Sequence, residues 1–469
     1  MEFQQHYLTC LAQASYLVGD GGECAIVDPR RDIDVYLDGA AALGMTITHI
    51  IETHLHADFV SGHLELAART GATIHVGHRA GADYEHVPAH DGDEIVMGDV
   101  TLRFLETPGH TPESVCVLVF DRSVDAERPL KVLTGDTLFI GDAGRPDLVS
   151  SKGLTAEDMA GMMYDSLHDK LMVLPDETEV FPGHGAGSAC GRAMSSALSC
   201  TIGVQKQTNW ALQPQSREEF IASQTVGLPP APRYFPVAAE LNRSGPPLLS
   251  ELPALALLDA DALAAAQQAG ALVLDVRTAD AFAVGHVPGS VNIGLDGQFA
   301  SWVGALLIDV GGVVVVAEDE AAAREAVLRM SRVGHHGVAG VLAGGFPSWT
   351  AAGMALASHE RIDPDAAEER RTTEGGPTVL DVRREPEHEG GHVPGALNLP
   401  LHRLDEGLDD MGLDPAAPLL VICLGGYRSS TACSLLERRG FTGLIDIRGG
   451  TRAWVDAGLP VEQSAAAEA

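Results

Sequence analysis

Short apolar runs separated by polar turns fill this chain, and they come in two textures. Up to about residue 210 the runs are β-branched and end in glycine, histidine or aspartate. Ile47-Thr48-His49-Ile50-Ile51 predicts a strand leading to His54, and Val132-Leu133-Thr134-Gly135 predicts one ending at Asp136. Thr107-Pro108-Gly109-His110-Thr111 and Phe181-Pro182-Gly183-His184-Gly185 read as turns. In the C-terminal half, strand-length runs such as Ala271-Leu272-Val273-Leu274 and Pro418-Leu419-Leu420-Val421-Ile422 alternate with helix-like stretches. That alternation predicts α/β layers around a parallel sheet. The longest apolar stretches, 253–274 and 305–317, are broken by Asp259, Asp261 and Asp309, so no membrane span is expected.

The C-terminal half repeats itself. Asp275-Val276-Arg277 recurs as Asp381-Val382-Arg383, and Gly285-His286-Val287-Pro288-Gly289 as Gly391-His392-Val393-Pro394-Gly395, both 106 residues on. Gly344-Gly345 with Trp349 recurs as Gly449-Gly450 with Trp454. Two copies of one domain of ordinary size are expected. The prolines at 214, 229, 230, 232, 236, 246 and 247 predict a linker or wrapping arm over 211–252, and a shorter break falls at 358–376. The expected domains are 1–250 with that linker, 255–357 and 365–469.

Composition narrows the partners. The chain has 469 residues, and 31 Lys and Arg against 65 Asp and Glu give a net charge of −34. So acidic a surface repels nucleic acid and anionic membranes. Seven cysteines are few and odd in number, and Met1-Glu2-Phe3-Gln4-Gln5-His6 does not open a secretory signal. Free thiols in a reducing cytoplasm are the expectation.

His54, His56, Asp58, His110, Asp136 and His184 are metal-capable side chains at strand ends and turns. Imidazole suits zinc, iron or copper, and two histidines with one carboxylate suit non-haem Fe(II). In His54-Leu55-His56-Ala57-Asp58-Phe59 the last place offers no ligand. A two-metal hydrolase clamps water between ions about 3.5–4 Å apart. Its second ion would draw on Asp58, Asp136, His184 and residue 59, so Phe59 argues for one ion.

The succession Thr-His-Leu-His-Ala-Asp, Pro-Gly-His-Thr, Thr-Gly-Asp-Thr and Pro-Gly-His-Gly resembles the metallo-β-lactamase superfamily over roughly 1–210. The resemblance implies an αββα sandwich with metal between the sheets. Leu138-Phe139-Ile140-Gly141-Asp142-Ala143-Gly144-Arg145-Pro146-Asp147 is similar to the persulfide dioxygenase branch more than to glyoxalase II. That similarity implies one Fe(2+) per chain on His54, His110 and Asp136, with Zn(2+) the alternative. His56, Asp58 and His184 then support those ligands or form an alternative metal set. Phe59 departs from the branch, where a histidine is often kept. Arg145 is the candidate anion contact. Cys190 and Cys200 follow the His184 turn closely enough for one to reach the metal pocket.

Cys423-Leu424-Gly425-Gly426-Tyr427-Arg428-Ser429 joins a strand-like run to a helix-like one. Backbone N–H groups and a helix N-terminus there stabilise a thiolate, and Arg428 adds positive charge. The loop resembles that of rhodanese sulfurtransferases, over about 376–462. The resemblance implies a persulfide on Cys423, with Gly425, Gly426 and Ser429 cradling substrate. In the first copy Ala317 stands at the cysteine position, followed by Glu318-Asp319-Glu320, so that copy is expected to be inactive and to serve packing, spacing or assembly. The repeated Asp-Val-Arg triplets read as internal ion pairs.

The resemblances together imply an enzyme of sulfide and persulfide detoxification. Thiol persulfide, carried by glutathione or another small thiol, is oxidised by dioxygen to sulfite, and rhodanese transfer then gives thiosulfate. They also imply a homo-oligomer, dimer or tetramer. The alternatives are a zinc thioester hydrolase with appended sulfurtransferase domains and a non-oxidative sulfur-relay protein.

Overall fold

A computed structural model describes residues 1–148, 153–228, 230–252 and 254–463. Residues 149–152 of the first expected domain, Pro229 and residue 253 of the stretches noted above, and 464–469 of the last domain lie outside these. The chain divides into two compact units, Met1–Leu252 with Ser331–Gly334, and Pro253–Met330 with His335–Ala469. Among the described residues no helix is long and apolar enough to cross a membrane.

The first unit stacks two six-stranded sheets. One runs in chain order through Glu2–Leu8, Gln13–Asp20, Glu23–Val27, Thr46–Glu52, Thr73–Gly77 and Val87–Ala89. The other is ordered Cys200–Thr201, Glu179–Pro182, Lys131–Gly135, Val115–Asp121, Val100–Glu106, Glu94–Met97. Alternate residues of a strand face opposite sides, and Val115–Asp121 uses both. Val115, Val117 and Val119 meet Tyr16, Val18, Val27 and Ile51 between the sheets. Cys116, Leu118 and Phe120 meet Met163, Leu167 and Phe220 under the outer helices. Both faces of this strand are therefore covered, which is why the sequence there reads as a continuous apolar run. On the other side Leu17, Cys24, Ile26 and Ile50 pack against Tyr36, Ala40 and Leu66 of the helices Asp34–Ala42 and His63–Thr70. Helix, sheet, sheet and helix follow in four layers, as the resemblance implied.

Of the two expectations for 211–252, linker or wrapping arm, the structure has the packed arm. It forms helices Arg217–Thr225 and Phe235–Ser244, with Phe220, Phe235 and Ala238 buried. Buried Asn242 holds the metal-capable loop. Its Nδ2 donates to the carbonyls of His56 at 2.7 Å and Phe59 at 2.8 Å, and its Oδ1 accepts from Ser61 N at 2.8 Å.

The second unit contains two five-stranded parallel sheets of one topology. Leu257–Leu258, Val338–Leu342, Val313–Val316, Leu272–Asp275 and Val291–Asn292 lie in that order. Glu360–Ile362, Leu444–Ile447, Leu419–Ile422, Thr378–Asp381 and Leu397–Asn398 repeat it. The Asp-Val-Arg triplets close the same ion pair in both, Arg277 to Asp275 and Arg383 to Asp381, each at 2.6 Å.

The Asn242 bonds carry a testable cost. Asn242→Ala leaves buried carbonyls and an amide without partners, which costs roughly 2–4 kcal/mol at about 1–3 kcal/mol per lost group, not all additive. Urea unfolding followed by circular dichroism should show an earlier transition for the variant. An unchanged midpoint would show that the arm does not secure the loop.

Candidate metal centre and thiol site

Strand Thr46–Glu52 delivers Thr53 and His54 to one end of the sandwich, and Lys131–Gly135 delivers Asp136 there from the opposite sheet. The ligand atoms of His54, His110 and Asp136 lie within 4.8 Å of one another, all buried. Asp136 Oδ2 stands 3.8 Å from His54 Nε2 and 3.6 Å from His110 Nε2. His54 Nε2 and Asp136 Oδ2 have no hydrogen-bond partner although both are sealed from solvent. Buried polar atoms without partners are costly, so a convergent pair of them fits a missing cation.

Outer partners set the tautomers. His110 Nδ1 lies 2.9 Å from the carbonyl of Arg145, which can only accept, so Nδ1 carries the proton and Nε2 keeps its lone pair. Thr53 Oγ1 donates to Asp28 at 2.9 Å and so accepts from His54 Nδ1 at 3.0 Å, leaving His54 Nε2 bare too. Burial, with neighbouring His56, holds His54 well below the usual histidine range, and burial lowers His110 as well. Burial opposes charge on Asp136, but the charge and hydrogen bond of His184 outweigh it and hold the carboxyl below its ordinary range. Two neutral imidazoles and a carboxylate are the protonation states a divalent metal needs.

The remaining candidates form a second group. His184 Nδ1 meets Asp136 Oδ1 and its Nε2 meets Asp58 Oδ2, both at 2.7 Å. Burial disfavours its charge, but the two carboxylates raise His184 well above the ordinary value. Asp58, His184 and Cys190 also lie within 4.8 Å of one another. Burial, then Asp58 and Asp136, push the Cys190 thiol far up. Cys200 stands apart on the edge strand, its thiol bonded to the Thr201 carbonyl. Phe59 is buried with its ring 4.3 Å from that of His56. His56 is turned to Asp28, Nε2 to Oδ1 at 3.0 Å, with Glu52 Oε2 at 3.5 Å. Its Nδ1 has no partner. Burial works against its proton, but Asp28 and Glu52 prevail and raise its pKa.

Arg145 differs from the open anion contact expected of it. Its guanidinium is buried and bidentate to Asp147 at 2.6 and 2.7 Å, and it also donates to Ala189 O. What reaches the metal-capable set is its backbone carbonyl. Gly144 permits this approach, because a Cβ there would lie 2.0 Å from Asp136 O. Asp28, Glu52 and Asn242 were missed by sequence reasoning. Asp28 and Asn242 lie 28 and 186 residues from His56, outside any compact motif, whereas Glu52 stands only four residues before it. Asn242, on the helix Phe235–Ser244, belongs to no motif that signals its contact with the loop.

In the second unit Cys423 follows the central strand Leu419–Ile422 and precedes helix Arg428–Arg438. Gly426 N donates to Cys423 Sγ at 3.1 Å, and the thiol points to Ser429 Oγ at 3.5 Å. Gly426 has φ +81, and a Cβ on it would meet Gly449 N at 2.9 Å, so the turn that aims this N–H requires glycine. Gly425 lies in open space beside it. Arg428 does not offer the unpaired charge expected of it, since Glu387 binds it bidentately at 2.8 and 2.6 Å. The first copy buttresses this helix. Asn292 Oδ1 accepts from Ser430 at 2.7 Å, Asn292 N donates to Ser434 at 2.9 Å, and His286 meets Glu437 at 2.9 Å. Tyr427 Oη donates to Gly294 O at 2.7 Å.

Comparison with known proteins finds relatives of both units. The metallo-beta-lactamase superfamily model matches residues 8–184, and the rhodanese-like domain model matches 259–352 and 363–457. A hydroxyacylglutathione hydrolase of Rhodospirillum rubrum is 38% identical over 168 residues, 35% of this chain and 57% of its own. The mitochondrial persulfide dioxygenase ETHE1 of Bos taurus is 30% identical over 179 residues, 36% of this chain and 63% of its own. The chain thus spans less than two thirds of the length of these curated relatives. A solved metallo-beta-lactamase of Staphylococcus aureus subsp. aureus COL is 33% identical with a TM-score of 0.64, over 73% of this chain and 99% of that one. The chain therefore belongs to the metallo-β-lactamase superfamily, as a fusion of a metallo-β-lactamase domain to two rhodanese-like domains.

Proposed function

We propose that the first unit oxidises a small-thiol persulfide with dioxygen at one iron, and that Cys423 transfers sulfane sulfur. The carrying observation is the buried convergence of His54 Nε2, His110 Nε2 and unpartnered Asp136 Oδ2 beside a position closed by Phe59. Two histidines and one carboxylate with open positions match the ligand set of non-haem Fe(II) oxygenases. When bound, iron supplies Lewis acidity and a template for persulfide and dioxygen. The protein's own residues fix the rest. Arg145 O and Thr53 orient the imidazoles, His184 holds a proton between Asp136 and Asp58, and Phe59 keeps an apolar wall where a second ion would need a ligand. In balance, one persulfide, one dioxygen and one water give one thiol, one sulfite and two protons.

A second thiol persulfide passes its outer sulfur to the Cys423 thiolate, its own S–S bond breaking to release the thiol, and sulfite then attacks the outer sulfur of the Cys423 persulfide. The S–S bond to Cys423 breaks, a new S–S bond forms thiosulfate, and Cys423 leaves as thiolate onto the Gly426 N–H. The zinc thioester hydrolase reading has its own support in the 38% identical hydrolase and in the second donor group Asp58, His184 and Cys190.

Oxygen-electrode assays with glutathione persulfide separate these readings. Iron-loaded protein should consume about one dioxygen per persulfide, and Asp136→Ala should lower the rate by about a hundredfold or more, since it removes a metal ligand. Absence of oxygen uptake, with hydrolysis of a hydroxyacylglutathione by zinc-loaded protein, would overturn the dioxygenase assignment. Cys423→Ser should keep oxygen uptake within about twofold while thiosulfate formation disappears, because only transfer uses that nucleophile. Equal loss of both activities would refute the division of labour.

A further inference from the structure

The two rhodanese-like copies are an internal comparison of what the fold needs against what the thiol needs. The Asp-Arg pairs of the triplets survive in both copies with the same 2.6 Å contact, and each arginine also donates to a backbone carbonyl at 2.8 Å, Gly285 in one copy and Gly391 in the other. They hold the fold whether or not a cysteine is present. The Glu387–Arg428 pair behaves differently. At the 106-residue offset Arg428 corresponds to Ala322 and Glu387 to Ala281. The register is secure, because the strand pairs Val316 with Asp275 in one copy and Ile422 with Asp381 in the other. The cysteine, its arginine and the arginine's glutamate are all alanine in the copy without a thiol.

Glu387 also stands at the right place. It lines an open cleft of about 500 Å³ beside the Cys423 loop, together with Arg383, Leu424, Thr451 and Arg452. Its side chain is 23% exposed and that of Arg428 is 14% exposed. Burial works against the Glu387 charge, yet the Arg428 bonds hold its carboxyl down at about 2. The pair is therefore fully ionised at neutral pH, and it gives the mouth a clamped guanidinium with little net charge.

We infer that Glu387 is a positioning and selectivity residue for the sulfur-transfer site: it fixes Arg428 and offsets its charge, moderating the pull of the Cys423 mouth on anionic sulfur species such as thiosulfate and sulfite. This rests on the reading of Cys423 as the sulfur carrier. An uncompensated arginine would hold a dianion tightly. A neutralised one admits anion and neutral persulfide alike and lets the anionic product leave.

The test uses the full-length, reduced protein and reads the local potential directly. Cys423 is alkylated with anionic iodoacetate and with neutral iodoacetamide, and the Cys423 peptide is quantified by mass spectrometry. Removing one of two opposite charges near a reacting thiolate changes the rate for a charged reagent relative to that for a neutral one, because any change in thiolate population acts on both alike. E387Q should raise the iodoacetate-to-iodoacetamide rate ratio about three- to tenfold, and R428Q should lower it by a similar factor. The double variant should return near the wild-type ratio. In thiosulfate turnover, E387Q should lower KM more than it changes kcat. Ratios that stay put in both single variants, or equal slowing with both reagents, would overturn the assignment and leave Glu387 a structural group. Wild-type protein without thiosulfate turnover, but with ratios moving as stated, would sink the sulfur-carrier reading and leave the charge assignment standing.

Discussion

One oxygen of Asp136 is bonded to His184 while the other faces His54 and His110 with nothing to accept from, and the first unit is organised around that asymmetry. A buried carboxylate stays ionised only when positive or donating groups surround it. Here His184, itself held between Asp136 and Asp58, supplies one such partner. The other oxygen is left for a cation. The two sheets reach this point from opposite sides, one carrying His54 from Thr46–Glu52 and the other Asp136 from Lys131–Gly135. Anything that shifts the sheets shifts the site, so packing between the sheets and geometry at the metal are a single problem.

The same economy appears around the ligands. Each imidazole that keeps a bare Nε2 has its Nδ1 proton fixed by an oxygen, Arg145 O for His110 and Thr53 Oγ1 for His54. His56, the middle histidine of the hexapeptide, is turned to Asp28 and Glu52 through Nε2. Phe59 then packs tilted against His56, at the position where a further donor would complete a second site. The second unit uses a comparable division: the first copy contributes no thiol, but its Asn292, Gly294 and His286 fix the helix that starts at the Cys423 loop.

Much of this was legible in the sequence because it is local or periodic. Ile47–Ile51 and Val132–Gly135 announced the strands that lead to His54 and Asp136, and the 106-residue repeat announced two like sheets. His54, His110 and Asp136 were legible because turns and strand ends place ligands in short motifs. What the sequence hid depends on partners far away in the chain. Asn242 reaches His56 and Phe59 across more than 180 residues, and nothing in its helix foretells those bonds. Arg428 read as added positive charge at the thiol because its carboxylate partner Glu387 is brought to it by folding from 41 residues away, whereas Asp147, which binds Arg145, stands in the same short motif. The proline-rich stretch read as linker or wrapping arm without a choice between them, because proline count reports breaks in helix and sheet, not burial; buried Phe220 and Phe235 make it an arm.

The central claim is that this fold holds a single ion at His54, His110 and Asp136. Anomalous diffraction at the iron absorption edge, from crystals of protein produced with iron, tests it most directly. The account predicts one peak per chain within metal-ligand distance, about 2.0–2.3 Å, of His54 Nε2, His110 Nε2 and Asp136 Oδ2. Two metal peaks about 3.5–4 Å apart, the second on Asp58 and His184, would contradict it.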